Sequence, residues 1–148
     1  MHLISQKLSK LGIGWNERTL TEADLYRICK RFKIGVAEMS LTVGGFYYRV
    51  AGRDHIAVDS KLSATKKLLV LFHELGHFLL HTPDSGATAN FHGVGRRSRK
   101  EIEADAFALC AIIPKPLLET RTIDQLIDEG IDPEALHQRI EIYRLHQI

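Results

Sequence analysis

The chain has 148 residues, of which 45% are hydrophobic and 26% are charged. This composition is typical of a globular protein and excludes a disordered or fibrous chain. The 20 basic and 18 acidic residues leave a net charge of +2, which is too small to require a nucleic-acid partner. Because 148 residues is the size of one ordinary domain, we expect a single domain, with an N-terminal extension over 1–19 and a core over 20–148.

Neither the cysteines nor the apolar segments indicate export or membrane insertion. Cys29 and Cys110 lie far apart and form no CxxC pair, so we expect free thiols in a reducing compartment. The apolar run over 68–72 is far shorter than the roughly 20 residues of a membrane-spanning helix. The first residues lack the basic start and long apolar stretch of a secretory signal. These patterns predict a cytoplasmic protein that does not bind a membrane.

Hydrophobic spacing predicts an α+β fold, because a helical start is followed by a strand-rich stretch and a helical remainder. Thr21 and the helical spacing of apolar residues over 21–33 indicate a capped amphipathic helix. From there to Val58 the pattern changes to short β-rich runs separated by glycine-containing turns. We expect three strands in a small antiparallel meander, over residues 35–43, 46–51 and 55–59.

A central helix is predicted to begin after Ser63, which can cap it, and to run through Leu80. This helix is apolar on nearly every face, so we expect the small sheet to pack on it. Residues 82–97 lack periodicity and predict a long loop, of a kind that is often functional. Three further helices are expected, one over about 98–113, a short one near 122–129, and a last one that begins at Asp132.

The central helix carries the sequence His73-Glu74-Leu75-Gly76-His77, which is an HExxH motif. Residues four apart share one face of a helix, so the two imidazoles can bind one zinc ion together. Glu74 lies beside them, where it can reach a water bound to that ion and act as a general base. The alternative is a pair of core histidines, but a buried helix gains nothing from these three groups unless something satisfies them.

Two possible extensions of the motif do not supply a third ligand. His81 continues the spacing of four, yet it lies about 12 Å from His73 along the helix axis, too far to share one ion. It is more simply explained as a histidine at a helix end, where its charge suits the dipole. A metzincin would need Gly at position 80 and His at position 83, where this chain has Leu80 and Pro83.

The remaining candidates lie in the next long helix, at Glu101, Glu103 and Asp105. At about 100° per residue Asp105 falls about 40° from Glu101, whereas Glu103 falls about 200° away, on the far side. Glu101 is therefore favoured as a metal ligand, with Asp105 orienting a liganding histidine through its outer nitrogen. Two alternatives stay open: Glu103 as the third ligand, and a capping box in which Glu101 turns back to Ser98.

The segments HELGH at 73–77 and EIEADAFA at 101–108, with His81 between them, resemble the ImmA/IrrE family of zinc metallopeptidases. The resemblance covers about residues 20–145. It implies a zincin-like, gluzincin-like fold in which His73, His77 and Glu101 bind Zn²⁺ and Glu74 is the catalytic base. Several members of the family cleave helix-turn-helix repressors of stress or mobile-element genes. The family commonly has Leu-Leu-Met-Pro where this chain has Ala-Ile-Ile-Pro at 111–114. We expect no separate DNA-binding or sensor domain within these 148 residues.

Together these patterns predict a zinc-dependent endopeptidase that hydrolyses a peptide bond of a protein substrate. The resemblance makes a helix-turn-helix transcriptional repressor the expected substrate. A second oxyanion donor is expected, and Tyr47, Tyr48 and His92 are equal candidates for it. If residues 56–58 form a sheet edge beside the central helix, an extended substrate could pair with that edge.

Two functions from other classes compete with the endopeptidase. A zinc-bound regulatory or binding protein without turnover would carry the same ligands. A DNA-binding regulator would use residues 122–140, whose spacing resembles a helix-turn-helix with Gly130 in the turn. That segment is acidic and would repel phosphate, so no direct nucleic-acid binding is expected.

Overall fold

A computed structural model describes residues 1–81, 89–91 and 98–148. The elements form an α+β fold, as the hydrophobic spacing predicts. The helices are α1 (His2–Ser9), α2 (Glu22–Arg31), α3 (Ala64–Leu80), α4 (Arg99–Ile112), α5 (Lys115–Thr120), α6 (Ile123–Asp128) and α7 (Pro133–His146). The strands are β1 (Ile34–Met39), β2 (Gly45–Val50), β3 (Arg53–Asp59) and β4 (Ala89–Phe91).

The chain divides into two compact units. The sheet unit comprises Thr21–Ala108, and the helical unit comprises Met1–Leu20 together with Leu109–Ile148, so the boundary falls within α4. The single domain expected from the chain length, with an extension over 1–19, stays a prediction. Among the helices that the structure describes, none combines the length and the hydropathy needed to cross a membrane.

Within the described residues, the sheet has four strands in the order β1-β3-β2-β4. β1 pairs with β3 in parallel, whereas β2 pairs with both β3 and β4 in antiparallel orientation. The predicted antiparallel three-stranded meander is therefore wrong, because β3 lies between β1 and β2 and the sheet is mixed. The predicted loop over 82–97 contains the short strand β4, while residues 82–88 and 92–97 lie outside the described residues.

Asp59, at the end of β3, organises the connection that separates β1 from β2. Residues 40–44 pass from β1 to β2 across two strand spacings, about 10 Å, which five extended residues can span. The Asp59 carboxylate accepts hydrogen bonds from the N–H groups of Leu41 and Lys61, at 3.2 and 3.3 Å. The main-chain N–H of Asp59 donates to Gly44 O at 2.8 Å. These bonds hold the connection across the end of β3.

The turn between β2 and β3 makes these two strands neighbours. Its two residues, Ala51 and Gly52, have φ values of 52° and 74°. Two successive left-handed residues are typical of the type I′ turn, whose twist suits an antiparallel hairpin. The hairpin fixes β3 against one edge of β2. β1 pairs with the other edge of β3, and β4 pairs with the other edge of β2.

α3 lies against β2 and β3 inside the sheet unit. As predicted, Ser63 caps this helix, because its Oγ accepts a hydrogen bond from the N–H of Lys66 at 3.3 Å. Thr21 and Asp24 form a reciprocal capping box at the start of α2, which confirms the predicted helix start. The second half of α3 is buried almost throughout, from Leu71 to Leu79 with Phe78 partly exposed. Packing therefore fixes the orientation of the helix that carries the HExxH motif.

The helical unit has a small apolar core made by Ile113, Leu126 and Leu136. α6 and α7 begin as predicted, with Thr122 and Asp132 as their capping residues. α5 was not expected, since the prolines flanking Lys115 suggest a break. Proline at the first turn of a helix loses no hydrogen bond, so Pro116 starts this short helix instead of preventing it.

Arg139 of α7 is fully buried in the helical unit. Its guanidinium donates hydrogen bonds to the main-chain oxygens of Ile113 and Ile148, at 2.6 and 3.0 Å, and to Asn16 Oδ1 at 3.1 Å. The same Asn16 oxygen accepts from the N–H of Lys115 at 2.8 Å. These bonds compensate part of the cost of burying the charge.

Candidate metal centre

Three side chains of α3 and α4 converge inside the sheet unit. His73 and His77 lie one turn apart on α3 and are 1% and 2% exposed, and Glu101 lies in the first turn of α4. One ligand atom from each residue lies within 4.8 Å of the other two. The structure therefore brings the three predicted ligand residues together.

The same nitrogen of each imidazole faces the carboxylate. His73 Nε2 lies 3.1 Å from Glu101 Oε2, and His77 Nε2 lies 2.8 Å from Glu101 Oε1. The two Nε2 atoms are 3.1 Å apart. Donor atoms on one tetrahedral ion with bonds of about 2 Å are about 3.3 Å from one another. The spacing and the donor types thus fit one small divalent metal ion, and two imidazoles with one carboxylate are a set that zinc accepts.

Asp105 contacts His73 on the side away from Glu101. Its Oδ1 lies 2.7 Å from His73 Nδ1. Burial lowers the pKa of His73, but the hydrogen bond that His73 donates to Asp105 and the charges of Glu74, Asp105 and Glu101 together raise it. A proton held at Nδ1 by a carboxylate leaves the lone pair of Nε2 free for a metal. The contact has the geometry of the predicted orienting role.

Glu74 is fully buried beside the two histidines. In the part of the chain that the structure describes, neither of its carboxylate oxygens has a well-formed hydrogen bond. Burial raises the pKa of Glu74 to about 8, and Glu101 adds to this rise, whereas His73 and the main-chain N–H of Tyr47 oppose it. Burying such a carboxylate costs free energy, so packing alone does not account for it.

Comparison with known proteins identifies the family. A sequence model of the peptidase family described as the IrrE N-terminal-like domain matches residues 29–142. The chain belongs to this family. The match includes both HELGH and EIEADAFA, so it confirms the resemblance drawn from those two segments. No curated protein and no solved structure matches the chain significantly.

In this IrrE N-terminal-like domain, Glu101 and Glu103 point to different partners. One half of the predicted capping box is present, because Ser98 Oγ accepts a hydrogen bond from the N–H of Glu101 at 3.2 Å. The carboxylate of Glu101 lies against the histidines, as described above. Glu103 instead contacts Arg99 at 3.1 Å and His81 at 3.7 Å. The geometry therefore favours Glu101 over Glu103 as a metal ligand.

The predicted oxyanion donors stay a prediction, whereas the predicted substrate edge is contradicted by the strand pairing. The Tyr47 hydroxyl donates a hydrogen bond to Asp54 at 2.6 Å, and Tyr48 stacks on His55 with ring centroids 4.9 Å apart. His92 lies outside the described residues. Residues 56–58 belong to β3, which is hydrogen-bonded on both sides, so the expectation that they form a sheet edge is wrong.

The sequence does not predict that the side chain of His81 contacts this centre. His81 is indeed the C-terminal cap of α3, as expected, but its side chain is only 8% exposed. Its Nδ1 lies 3.2 Å from His77 Nδ1. The spacing of four residues between His77 and His81 is the sequence signal for this contact, because residues four apart share one face of a helix. From the sequence, we consider that spacing only for direct binding of a metal by His81.

Gly76 of the HELGH segment sets how closely α3 and α4 approach. A Cβ at this position would lie 2.9 Å from Cδ1 and 3.2 Å from Cβ of Phe107, which is fully buried. Replacing glycine with alanine inside a helix ordinarily stabilises it by about 0.5–1 kcal/mol. Overpacking a core typically costs about 1–3 kcal/mol, so we expect Gly76→Ala to lower the free energy of unfolding by about 1–2 kcal/mol in urea titrations.

The same substitution should also weaken metal binding, because the new methyl group would push against Phe107 of α4, the helix that carries Glu101. Phe107→Leu provides the control, since a smaller side chain makes room for the new methyl group. Gly76→Ala should therefore lower the free energy of unfolding by less in the Phe107→Leu background than in the wild type. If Gly76→Ala lowered the free energy of unfolding equally in both backgrounds, the contact with Phe107 would not be the reason for glycine at position 76.

Proposed function

We propose that this protein is a zinc-dependent endopeptidase that hydrolyses a peptide bond of a protein substrate. The observation that carries the proposal is the convergence of two histidine Nε2 atoms and the Glu101 carboxylate next to the fully buried Glu74, whose carboxylate makes no well-formed hydrogen bond within the described residues. Membership of a peptidase family supports the same chemistry. A structural metal site would need the three ligands but would have no use for Glu74.

His73, His77 and Glu101 would hold the zinc ion, and Asp105 would orient His73. When bound, such an ion polarises a carbonyl oxygen and lowers the pKa of a coordinated water. The protein holds the ligands ready: the imidazoles are fixed by the core packing of α3, and the carboxylate comes from the first turn of α4. A buried site of this kind strengthens electrostatic interactions that bulk water would weaken.

Glu74 would act as the general base. It accepts a proton from the attacking water at a carboxylate oxygen and passes that proton to the nitrogen of the leaving amine. Its burial supports this role, because burial raises the pKa of Glu74 to about 8 despite the opposing effects of His73 and the main-chain N–H of Tyr47, which makes the carboxylate a stronger base. Glu74 directly follows His73 on α3, so the same helix positions the proposed base and the proposed ligand.

The arrangement of elements supports a zincin-like, gluzincin-like architecture. The helix with the motif lies against the sheet, and a carboxylate from a later helix completes the ligand set. The substrate follows from the family resemblance: we propose a helix-turn-helix transcriptional repressor of stress or mobile-element genes as the protein that is cleaved. Recognition would run through this protein partner, without direct binding of nucleic acid.

The DNA-binding alternative has less support. Its two helices would be α6 and α7, with Gly130 in the turn between them. The segment carries several carboxylates, and a duplex would have to approach them. One of its few basic side chains, Arg139, is fully buried and donates its hydrogen bonds within the helical unit. It is therefore not placed to contact phosphate.

The proposal is tested by removing and restoring the metal. Protein purified without a histidine tag or chelator should contain close to one zinc per chain. It should cleave peptides in a proteome-derived library, with new termini counted by mass spectrometry. We expect 1,10-phenanthroline to abolish cleavage and stoichiometric zinc to restore it. Protein that contains zinc but cleaves neither the library nor intact repressors would contradict the proposed function and favour a zinc protein without turnover.

A further inference from the structure

The two liganding histidines differ in what holds their outer nitrogens. His73 Nδ1 meets the carboxylate of Asp105 directly, at 2.7 Å. His77 Nδ1 meets a second imidazole, because His81 Nδ1 lies 3.2 Å away, and the two rings lie 5.3 Å apart between centroids. A histidine that binds a metal through one nitrogen almost always donates its other N–H to a partner. His81 occupies that partner position for His77.

The direction of the hydrogen bond follows from the use of each nitrogen. His77 Nε2 faces Glu101 and would face the metal, so the proton of a neutral His77 ring must be on Nδ1. His77 then donates, and His81 Nδ1 accepts. A neutral imidazole that accepts at one nitrogen carries its proton on the other, so His81 must present an N–H at Nε2.

Glu103 lies where that second proton points. Its Oε2 is 3.7 Å from His81 Nε2, and its carboxylate is 15% exposed. Its other oxygen, Oε1, accepts a hydrogen bond from Arg99 Nε at 3.1 Å. Within the described residues, His81 Nε2 is buried and has no well-formed hydrogen bond, so a small approach of Glu103 would give it a partner.

We propose that His81 and Glu103 form a relay that orients His77, with the order His77 Nδ1–H to His81 Nδ1, and His81 Nε2–H to the Glu103 carboxylate. This inference rests on the proposed metal centre. Both residues are positioning residues, since neither faces the metal position. The relay gives His77 what Asp105 gives His73, a partner that keeps the proton at Nδ1 and leaves Nε2 free to bind.

Zinc affinity of the purified protein, measured by competition with a chromophoric chelator, tests the relay. His81→Leu keeps much of the volume and removes the acceptor, so we expect zinc binding to weaken about 10- to 100-fold. His81→Asn places an amide oxygen near the position of Nδ1 and should recover most of that affinity. Glu103→Gln should cost about 3- to 10-fold, because the second carboxylate acts only through His81.

A spectroscopic readout separates orientation from general stability. In the zinc-loaded wild type, ¹⁵N NMR should show the His77 ring protonated at Nδ1, and this signature should be lost or broadened in His81→Leu. Melting temperatures of the metal-free variants provide the stability control, and Glu119→Gln, on the exposed surface of α5, should match the wild type in all three measurements. If His81→Leu does not fold, Glu103→Gln and His81→Asn still test the relay through affinity and the NMR signature.

The outcomes distinguish the relay from the metal centre itself. Wild-type protein that binds zinc, with His81→Leu binding it equally well, would overturn the relay and leave the proposed function standing. His81→Asn binding as weakly as His81→Leu would likewise overturn it, since an acceptor at that position would then be without effect. Wild-type protein that takes up no zinc would overturn both proposals.

Discussion

Replacing Glu74 with glutamine is expected to abolish peptide-bond cleavage while zinc remains bound. The amide keeps the size and buried position of the carboxylate, but it cannot accept a proton from water. General base catalysis contributes typically about 10²- to 10⁴-fold, so kcat/KM should fall at least about 100-fold. The rate of product formation, measured on a peptide from the library that the wild type cleaves, gives the loss directly. Zinc content should stay near that of the wild type.

The stability of the same variant gives an independent check. Among the residues that the structure describes, the buried Glu74 carboxylate finds no well-formed hydrogen bond. Burying such a charge costs free energy, and a neutral amide of the same shape costs less. Glu74→Gln should therefore unfold at the same or a higher temperature than the wild type. Glu119→Gln, an exposed change on α5, is the matched control and should alter neither activity nor stability. A Glu74→Gln protein with full activity would show that a group other than Glu74 accepts the proton from the attacking water.

Local sequence patterns predicted the part of the fold that carries the site. Ser63 begins α3 as expected, and the HExxH spacing places two imidazoles on one face because a helix repeats every 3.6 residues. The same periodicity separated Glu101 from Glu103, two residues apart and on opposite sides of α4. These predictions hold because each depends only on the geometry of a single helix.

The order of the strands could not be predicted in the same way. Alternation of apolar and polar residues marks a strand but does not name its neighbours. The neighbours are set by the two-residue turn at Ala51 and Gly52 and by the bonds of Asp59 to the segment 40–44. β1 pairs in parallel with β3, so the consecutive strands β1 and β2 are not neighbours in the sheet.

Contacts between helices could not be predicted from the sequence either. The angle of about 100° per residue correctly places Glu103 on the opposite side of α4 from Glu101. It does not show which residues contact that side of α4. The structure shows His81 there, at the end of α3. His81 had been excluded as a ligand on distance along the helix axis, and the pairing of its side chain with His77 depends on the rotamers of both rings.

Replacing Glu101 with alanine is expected to remove most of the zinc bound by the protein. Each of its carboxylate oxygens lies within about 3 Å of one histidine Nε2, so the change deletes a ligand and the negative charge that compensates the ion. The loss of affinity should exceed the roughly 10- to 100-fold expected for outer contacts, such as that of Asp105. Chelator competition and zinc content per chain, measured on wild type and variant side by side, give the result.

The order in which the carboxylate substitutions weaken zinc binding decides which carboxylate is the metal ligand. Glu101→Ala should lose more affinity than Asp105→Ala, and Asp105→Ala should lose more than Glu103→Ala. Glu101 contacts both Nε2 atoms, Asp105 contacts the outer nitrogen of His73, and Glu103 acts only through His81. Glu119→Ala, an exposed change on α5, should lose none. The first three substitutions remove the same charge from one helix, so long-range electrostatics alone would make them similar. A protein that keeps its zinc in Glu101→Ala and loses it in Glu103→Ala would assign the ligand to Glu103. It would also rule out the relay through His81, because one carboxylate cannot serve both the metal and that imidazole.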